Sequence, residues 1–271
     1  IPDPLVSRFH SDTEASAGRF RNVLRNPELL RLDFGVFTLH AVLMALWLVV
    51  PLSLRQAGLA ADQHWQIYLP VLLISMLLII PAIIYAEKKA KLKPVFTIAV
   101  AVLLASQVLL ALALDSVWGT AAALLVFFAA FNLLEASLPS LISKIAPVGA
   151  KGTAIGVYSS VQFLGAFTGA TAGGYLYGNY GGSALFAFCG ILLALWLVLA
   201  ATMKAPAAVR TRMYHVQEMD TGRASGLSRE LAALPGVHEA LVLASERVAY
   251  LKVDMQGFDE ERVVQLLGGE A

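Results

Sequence analysis

The chain alternates long apolar runs with short polar breaks. Residues 1–32 are polar and show no regular period; they carry Arg8, Arg19, Arg21, Arg25 and Arg31. Six apolar runs follow, at about 33–54, 67–86, 95–114, 118–143, 153–178 and 184–203. Each is close to the roughly 20 residues a helix needs to cross the hydrocarbon layer, so the pattern predicts six transmembrane helices. Pro70 and Pro81 fall in the second run and predict kinks there, which neighbouring helices can accommodate. After Ala205-Pro206 the period changes. MYHVQEM reads as a strand, GLSRELAAL as a helix and VHEALVLA as a strand; ERVAYLKVD is a strand with period-two alternation and FDEERVVQLL a helix. Gly236 and Ser245-Glu246 mark turns. The order βαββα is that of a ferredoxin-like domain without its last strand. Its core is expected from Val237, Leu241, Leu243, Val248, Tyr250, Leu251, Val253, Val263 and Leu267. The expected fold is therefore an all-α membrane bundle followed by a small α+β ferredoxin-like domain. Residues 33–204 are expected to form the bundle, 205–212 a linker and 213–271 the soluble domain.

Composition agrees with that pattern. The chain is 58% hydrophobic and 14% charged, against about a quarter charged in soluble domains. The net charge of +1 averages two unlike parts and points to no nucleic-acid partner. Loop charges set the orientation. Lys88, Lys89, Lys91 and Lys93 follow the second run, Lys144 and Lys151 flank the fourth loop, and Lys204, Arg210 and Arg212 follow the last run. The only Lys or Arg in the opposite loops is Arg55. The positive-inside bias puts both ends in the cytoplasm. Cys189 is the single cysteine, so there is no intrachain disulfide framework and no thiolate metal site. The polar start at Ile1 is no secretory signal peptide and reads as a chain cut from something longer.

The fourth run contains FFAAFNLLEASLPS, with Asn132 and Glu135 three residues apart on one helix face, near Phe128 and Phe131. A charge at mid-bilayer costs about 3 kcal/mol on insertion scales, so this face should turn toward protein or water. It serves either as a substrate contact or protonatable site, or as an interhelical hydrogen bond that orders the bundle. Asp33 and His40 are seven apart and share a face. Asp33 reads as an interfacial helix charge, whereas His40 suits a neutral cross-helix histidine as well as proton or substrate handling. In KGTAIGVYSSVQFLGAFTGATAGGYLYG, Gly165, Gly169 and Gly173 form a small-residue stripe that lets two backbones approach closely. Gln162 lies on nearly the same face and suits cavity or packing. Lys151-Gly152-Thr153 presents a helix N-terminus that would attract an acidic side chain. The Glu87–Lys93 run is a solvated loop that can also touch anionic headgroups. No phosphate loop, zinc spacing, nucleophile elbow or triad is present, so the chain reads as a non-enzyme without cofactor or metal.

Six spans with both ends cytoplasmic, a basic loop after the second and a Gly-rich fifth resemble the C-terminal half of a Major Facilitator Superfamily transporter. HWQIYLPVLL, IIYAEKKAKLKPVF, FNLLEASLPSLISK and KGTAIGVYSSVQFLG are similar to segments of the bacterial YajR-type branch, whose members carry a small ferredoxin-like domain after the last helix. The resemblance implies a multi-pass protein of the bacterial inner membrane and proton-linked antiport, exporting small molecules of unspecified identity. It implies that the first span here is the seventh of twelve, that residues 1–32 are the central cytoplasmic linker, and that an N-terminal six-helix half is the partner. His40, Asn132, Glu135 and Gln162 would then face the substrate cavity, with Glu135 the proton-coupling candidate. The superfamily's G-x-L-a-D-r-x-G-r-k signature would lie in the other half, its aspartate against Gly152-Thr153; AEKKAKLKP lacks the glycines and the aspartate. The C-terminal domain is also similar to heavy-metal-associated domains, but it has no cysteine for their C-x-x-C loop. A small ligand, a partner or self-association remains open for it, and an unpaired sheet edge favours self-association. The rival reading is a non-transporting membrane anchor that presents a sensory or oligomerising domain; an interior closed by apolar side chains would mark it.

Overall fold

The computed structural model describes residues 17–89, 91–147, 149–204, 209–254 and 257–267. Residues 1–16 of the first expected linker and 205–208 of the second lie outside the described residues. Helices α1 (Ala17–Arg25), α2 (Pro27–Gln56), α3 (Trp65–Lys88), α4 (Leu92–Ala113), α5 (Val117–Ile145), α6 (Lys151–Tyr180) and α7 (Gly182–Thr202) come first. Strand β1 (Val209–His215), helix α8 (Thr221–Ala232), strands β2 (Val237–Leu243) and β3 (Val248–Asp254), and helix α9 (Glu260–Leu266) follow. The segment read as irregular is helical over α1 and the start of α2. Asn26-Pro27 supplies the reason: a capping-type residue is followed by proline at the first helical position, where its missing N–H costs nothing.

Among the described residues, five helical segments are long and apolar enough to cross a membrane: Pro27–Gln56, Ala61–Ala86, Leu92–Ala113, Val117–Ile145 and Gly182–Thr202. Helix α6 has the length, at 30 residues, but its glycines, serines and threonines dilute its apolar character and it is not among the five. Pro51 in α2, Pro70 and Pro81 in α3 and Pro139 in α5 all sit inside continuous helices.

The chain divides into two compact units, one of Pro27–Leu141 with Gly156–Ala205 and one of Ile1–Asn26, Ile142–Ile155 and Pro206–Ala271. In the first, α2 is the most enclosed span and α3 the most exposed. Trp196 on α7 is fully buried. It packs edge-on to Phe96 of α4, ring centroids 5.9 Å apart. A Cβ on Gly35 of α2 would lie 2.6 Å from its indole nitrogen, so that indole occupies the space a larger residue at 35 would need. The start of α2 and the end of α7 lie side by side: the Arg31 guanidinium donates to Thr202 Oγ1 at 3.3 Å and the Lys204 amide donates to Glu28 Oε2 at 3.1 Å.

In the second unit an antiparallel sheet has the order β1-β3-β2. Asp220 and Asp259 cap α8 and α9, each accepting from the backbone N–H three residues on. Val216, Ala224, Leu231, Val242, Ala249, Leu251, Val253 and Val263 form the core, with Val237 and Leu267 against it. Of the residues expected there, Leu241, Leu243, Val248 and Tyr250 lie elsewhere. Leu241 pairs with Tyr250 and Leu243 with Val248, in register with the other face of β3. The alternation in YLKVD marks two faces but does not say which is inside. Cys189 is buried on α7 in the first unit.

Candidate functional site

The close approach of α6 to α2 sets the site. On α6, Gly165, Gly169 and Gly173 recur every fourth residue and face Phe37, Ala41 and Ala45 of α2, which recur likewise. A Cβ on Gly165 would lie 2.8 Å from Phe37 Cα, and one on Gly169 2.5 Å from Ala41 Cα. Only glycine allows that spacing.

One turn before this stripe, Gln162 reaches across to His40. The two side-chain Nε2 atoms are 2.8 Å apart. His40 Nδ1 lies 3.1 Å from the Val36 carbonyl. These distances assign one tautomer: Nδ1–H donates to Val36 O, and the bare Nε2 accepts from the Gln162 amide. Glu135 Oε2 lies 3.7 Å from the same His40 Nε2. His40 is buried, while the Glu135 side chain is 37% exposed. Three of the four expected cavity residues therefore meet at one atom.

Asn132 does not join them. Its amide donates to Ser75 Oγ of α3 at 2.9 Å, and Ser75 donates in turn to Leu72 O at 2.8 Å. Ser75 is not among the residues the sequence singles out, although its signal is there: it lies mid-helix in an otherwise apolar stretch of α3. Tyr158 is a second such residue. It is buried, one turn before Gln162, and within electrostatic reach of both Glu135 and Asp33. Asp33, expected as an interfacial helix charge, is not solvent-exposed. It is 5% exposed and sits six residues into α2, because that helix starts at Pro27.

Two further features shape the neighbourhood. Pro139 lies four residues after Glu135 and has no N–H to give, so the usual helical bond to the Glu135 carbonyl is missing. His40 packs edge-on against Phe131 at 6.0 Å. From there Phe128, Trp47 and Tyr68 continue as a run of touching rings, Trp47 and Tyr68 5.0 Å apart. The polar cluster thus lies at one end of an aromatic wall.

At the expected anion-attracting end of α6, Gly152 is exposed and Thr153 half-buried. Among the described residues no three His, Cys, Asp or Glu side chains converge as metal ligands would.

The family model described as the Major Facilitator Superfamily matches residues 18–228. The chain belongs to the Major Facilitator Superfamily. Among curated members it is 38% identical over 254 residues to the inner membrane transport protein YajR of Escherichia coli (strain K12), covering 94% of this chain and 56% of that one. It is 32% identical over 148 residues to the uncharacterized transporter BU466 of Buchnera aphidicola subsp. Acyrthosiphon pisum (strain APS), covering 55% of this chain and 38% of that one. An uncharacterized transporter of Buchnera aphidicola subsp. Baizongia pistaciae (strain Bp) is 28% identical over 199 residues, 72% of this chain and 49% of its own. The chain spans about half the length of the curated relatives it matches. Membership fits a multi-pass membrane protein built from these apolar helices.

Proposed function

We propose that the chain is the C-terminal half of a secondary transporter that exports small molecules against proton entry by alternating access. In this reading α6 also crosses, as the fifth of six spans, both ends lie in the cytoplasm of a bacterial inner membrane, and an N-terminal six-helix half completes the cavity. Gly152 and Thr153 would face that half.

The observation that carries the reading is the meeting of His40, Gln162 and Glu135 at one nitrogen, from α2, α6 and α5. A neutral His40 accepts from the Gln162 amide. If a proton arrives at Nε2, that bond must break, because two donors then face each other. The new N–H would turn to the Glu135 carboxylate or to the Gln162 carbonyl after an amide flip. Protonation and the α2–α6–α5 contact are thereby linked, and a coupled transporter needs such a link between charge state and conformation. The aromatic wall beside the cluster suits the apolar part of a substrate. Asn132 fits this role less well, because its bond to Ser75 already serves to join α5 to α3. The half-exposed Glu135 side chain weighs against the anchor reading, which requires a closed apolar interior.

Glu135→Gln keeps the shape and removes the charge. In the two-half protein it should lower proton-driven efflux from vesicles at least tenfold and flatten its pH dependence. Unchanged efflux with an unchanged pH profile would contradict the proposal. The C-terminal domain is read as ferredoxin-like, and the outer edge of β1, where a fourth strand would pair, is its candidate for self-association.

A further inference from the structure

The sheet of the C-terminal domain has two faces, and its helices account for only one. Ala249, Leu251 and Val253 of β3 point into the core with α8 and α9. The alternate residues, Tyr250 and Lys252, point the other way, to a face that in an isolated domain of this kind meets water. Yet Lys252 is only 6% exposed. It is flanked in register by Thr211 of β1 and Glu239 of β2.

What covers it is the turn between α5 and α6. The Lys252 ammonium donates to the Ala146 carbonyl, just past the end of α5. Carbonyls at a helix C-terminus have no partner within the helix, and the negative end of the dipole favours a cation there. From the first residue of α6, the Lys151 ammonium donates to Thr211 Oγ1 at 2.8 Å. Between these contacts Gly149 takes a φ of +79°, and a Cβ there would come within 2.7 Å of Leu241 Cδ2. Each of the three strands therefore supplies one contact to a turn of a few residues. Ala146 and Ala150 are themselves buried.

We infer that this open sheet face is a docking surface for the α5–α6 turn, with Lys252 as the pin that caps α5 from outside it. The seat goes beyond the transport reading and does not depend on it. The charged groups at the pin are Glu239, whose carboxylate lies 3.5 Å from the Lys252 ammonium, and Lys151. Burial holds Lys252 below the usual lysine range, and Glu239 works against that shift. Its charge is therefore held in place by a carbonyl and a carboxylate rather than by water. Seating fixes the spacing between the end of α5 and the start of α6.

Two measurements on the 271-residue chain in nanodiscs test the seat. In a Cys189→Ala background, Lys151→Cys with Thr211→Cys should be joined efficiently by a short bis-maleimide linker within one molecule. Adding Lys252→Met should cut that yield at least fivefold. In hydrogen–deuterium exchange, Lys252→Met alone should speed the amides of 149–154 at least tenfold, while Leu251 and Val253 stay protected. Absence of the cross-link in the parent pair would overturn the inference. So would exchange at 149–154 that Lys252→Met leaves unchanged while the core stays protected. If the variant loosens the core as well, the parent cross-link alone decides: its formation supports the seat and its absence refutes it.

Discussion

Glu135 lies in an apolar span, where a carboxylate is costly unless it faces something polar, and its spacing from Asn132 puts the two on one face. What the spacing hides is the choice of partner. Asn132 turns to Ser75 and Glu135 to His40, a split decided by side-chain rotamers and by which helix stands opposite. His40 and Gln162 are 122 positions apart in the chain, and no local pattern joins them. Their meeting follows from the glycine stripe, which is legible in the sequence, but the stripe does not name the helix it will touch. Tyr214 supports a residue-scale prediction in the C-terminal sheet region. Its hydroxyl donates to Glu260 Oε1 at 2.9 Å. Burial, and then that bond, push the phenol up from 10.0 to about 12. The folded state therefore holds the proton more tightly than the unfolded one. The stabilisation is fully present below pH 10 and is lost as pH rises through 12. Between those values wild type should lose melting temperature faster than Tyr214→Phe, as read from the domain's thermal transition. Parallel decline of the two would remove Tyr214 from the explanation.

At the scale of elements, the apolar runs predict the long helices to within three residues except at the start of α2, which begins six residues early, because length and hydropathy decide a long apolar helix almost alone. Helix α1 is missed although Phe20, Val23 and Leu24 recur at helical spacing, because it is short and mostly polar and lies outside the long apolar runs. The strands are placed by their pattern but their inner face is not, since period two fits either face of a three-stranded sheet. The α2–α6 contact yields a paired prediction. Gly169→Ala forces a methyl against the Ala41 backbone, whereas nothing lies within 4 Å of a Cβ at Gly174. Overpacking costs about 1–3 kcal/mol, while glycine to alanine at an open helical site gains up to about 1 kcal/mol. Thermal unfolding in detergent should show Gly169→Ala several degrees below wild type and Gly174→Ala at or above it. Equal effects at both sites would mean that α6 does not press on α2 there.

For the whole molecule, a strongly apolar composition in long runs and a change of period near residue 205 are enough to indicate a multi-pass membrane protein with a small strand-bearing C-terminal region. The seat of the sheet on the α5–α6 turn is not legible there. Lys151 and Lys252 read as ordinary surface charges until the strands bring them to one turn. The transport reading needs the His40–Gln162–Glu135 cluster to meet water from alternate sides of the bilayer. Thiol labelling tests this. In the two-half protein with Cys189→Ser, Gln162→Cys should react with a membrane-impermeant reagent, and substrate or a pH step should shift that reactivity from one side of the membrane to the other. A thiol at 162 that stays silent from both sides under every condition would mean that the cluster is dry packing and that no passage runs beside it.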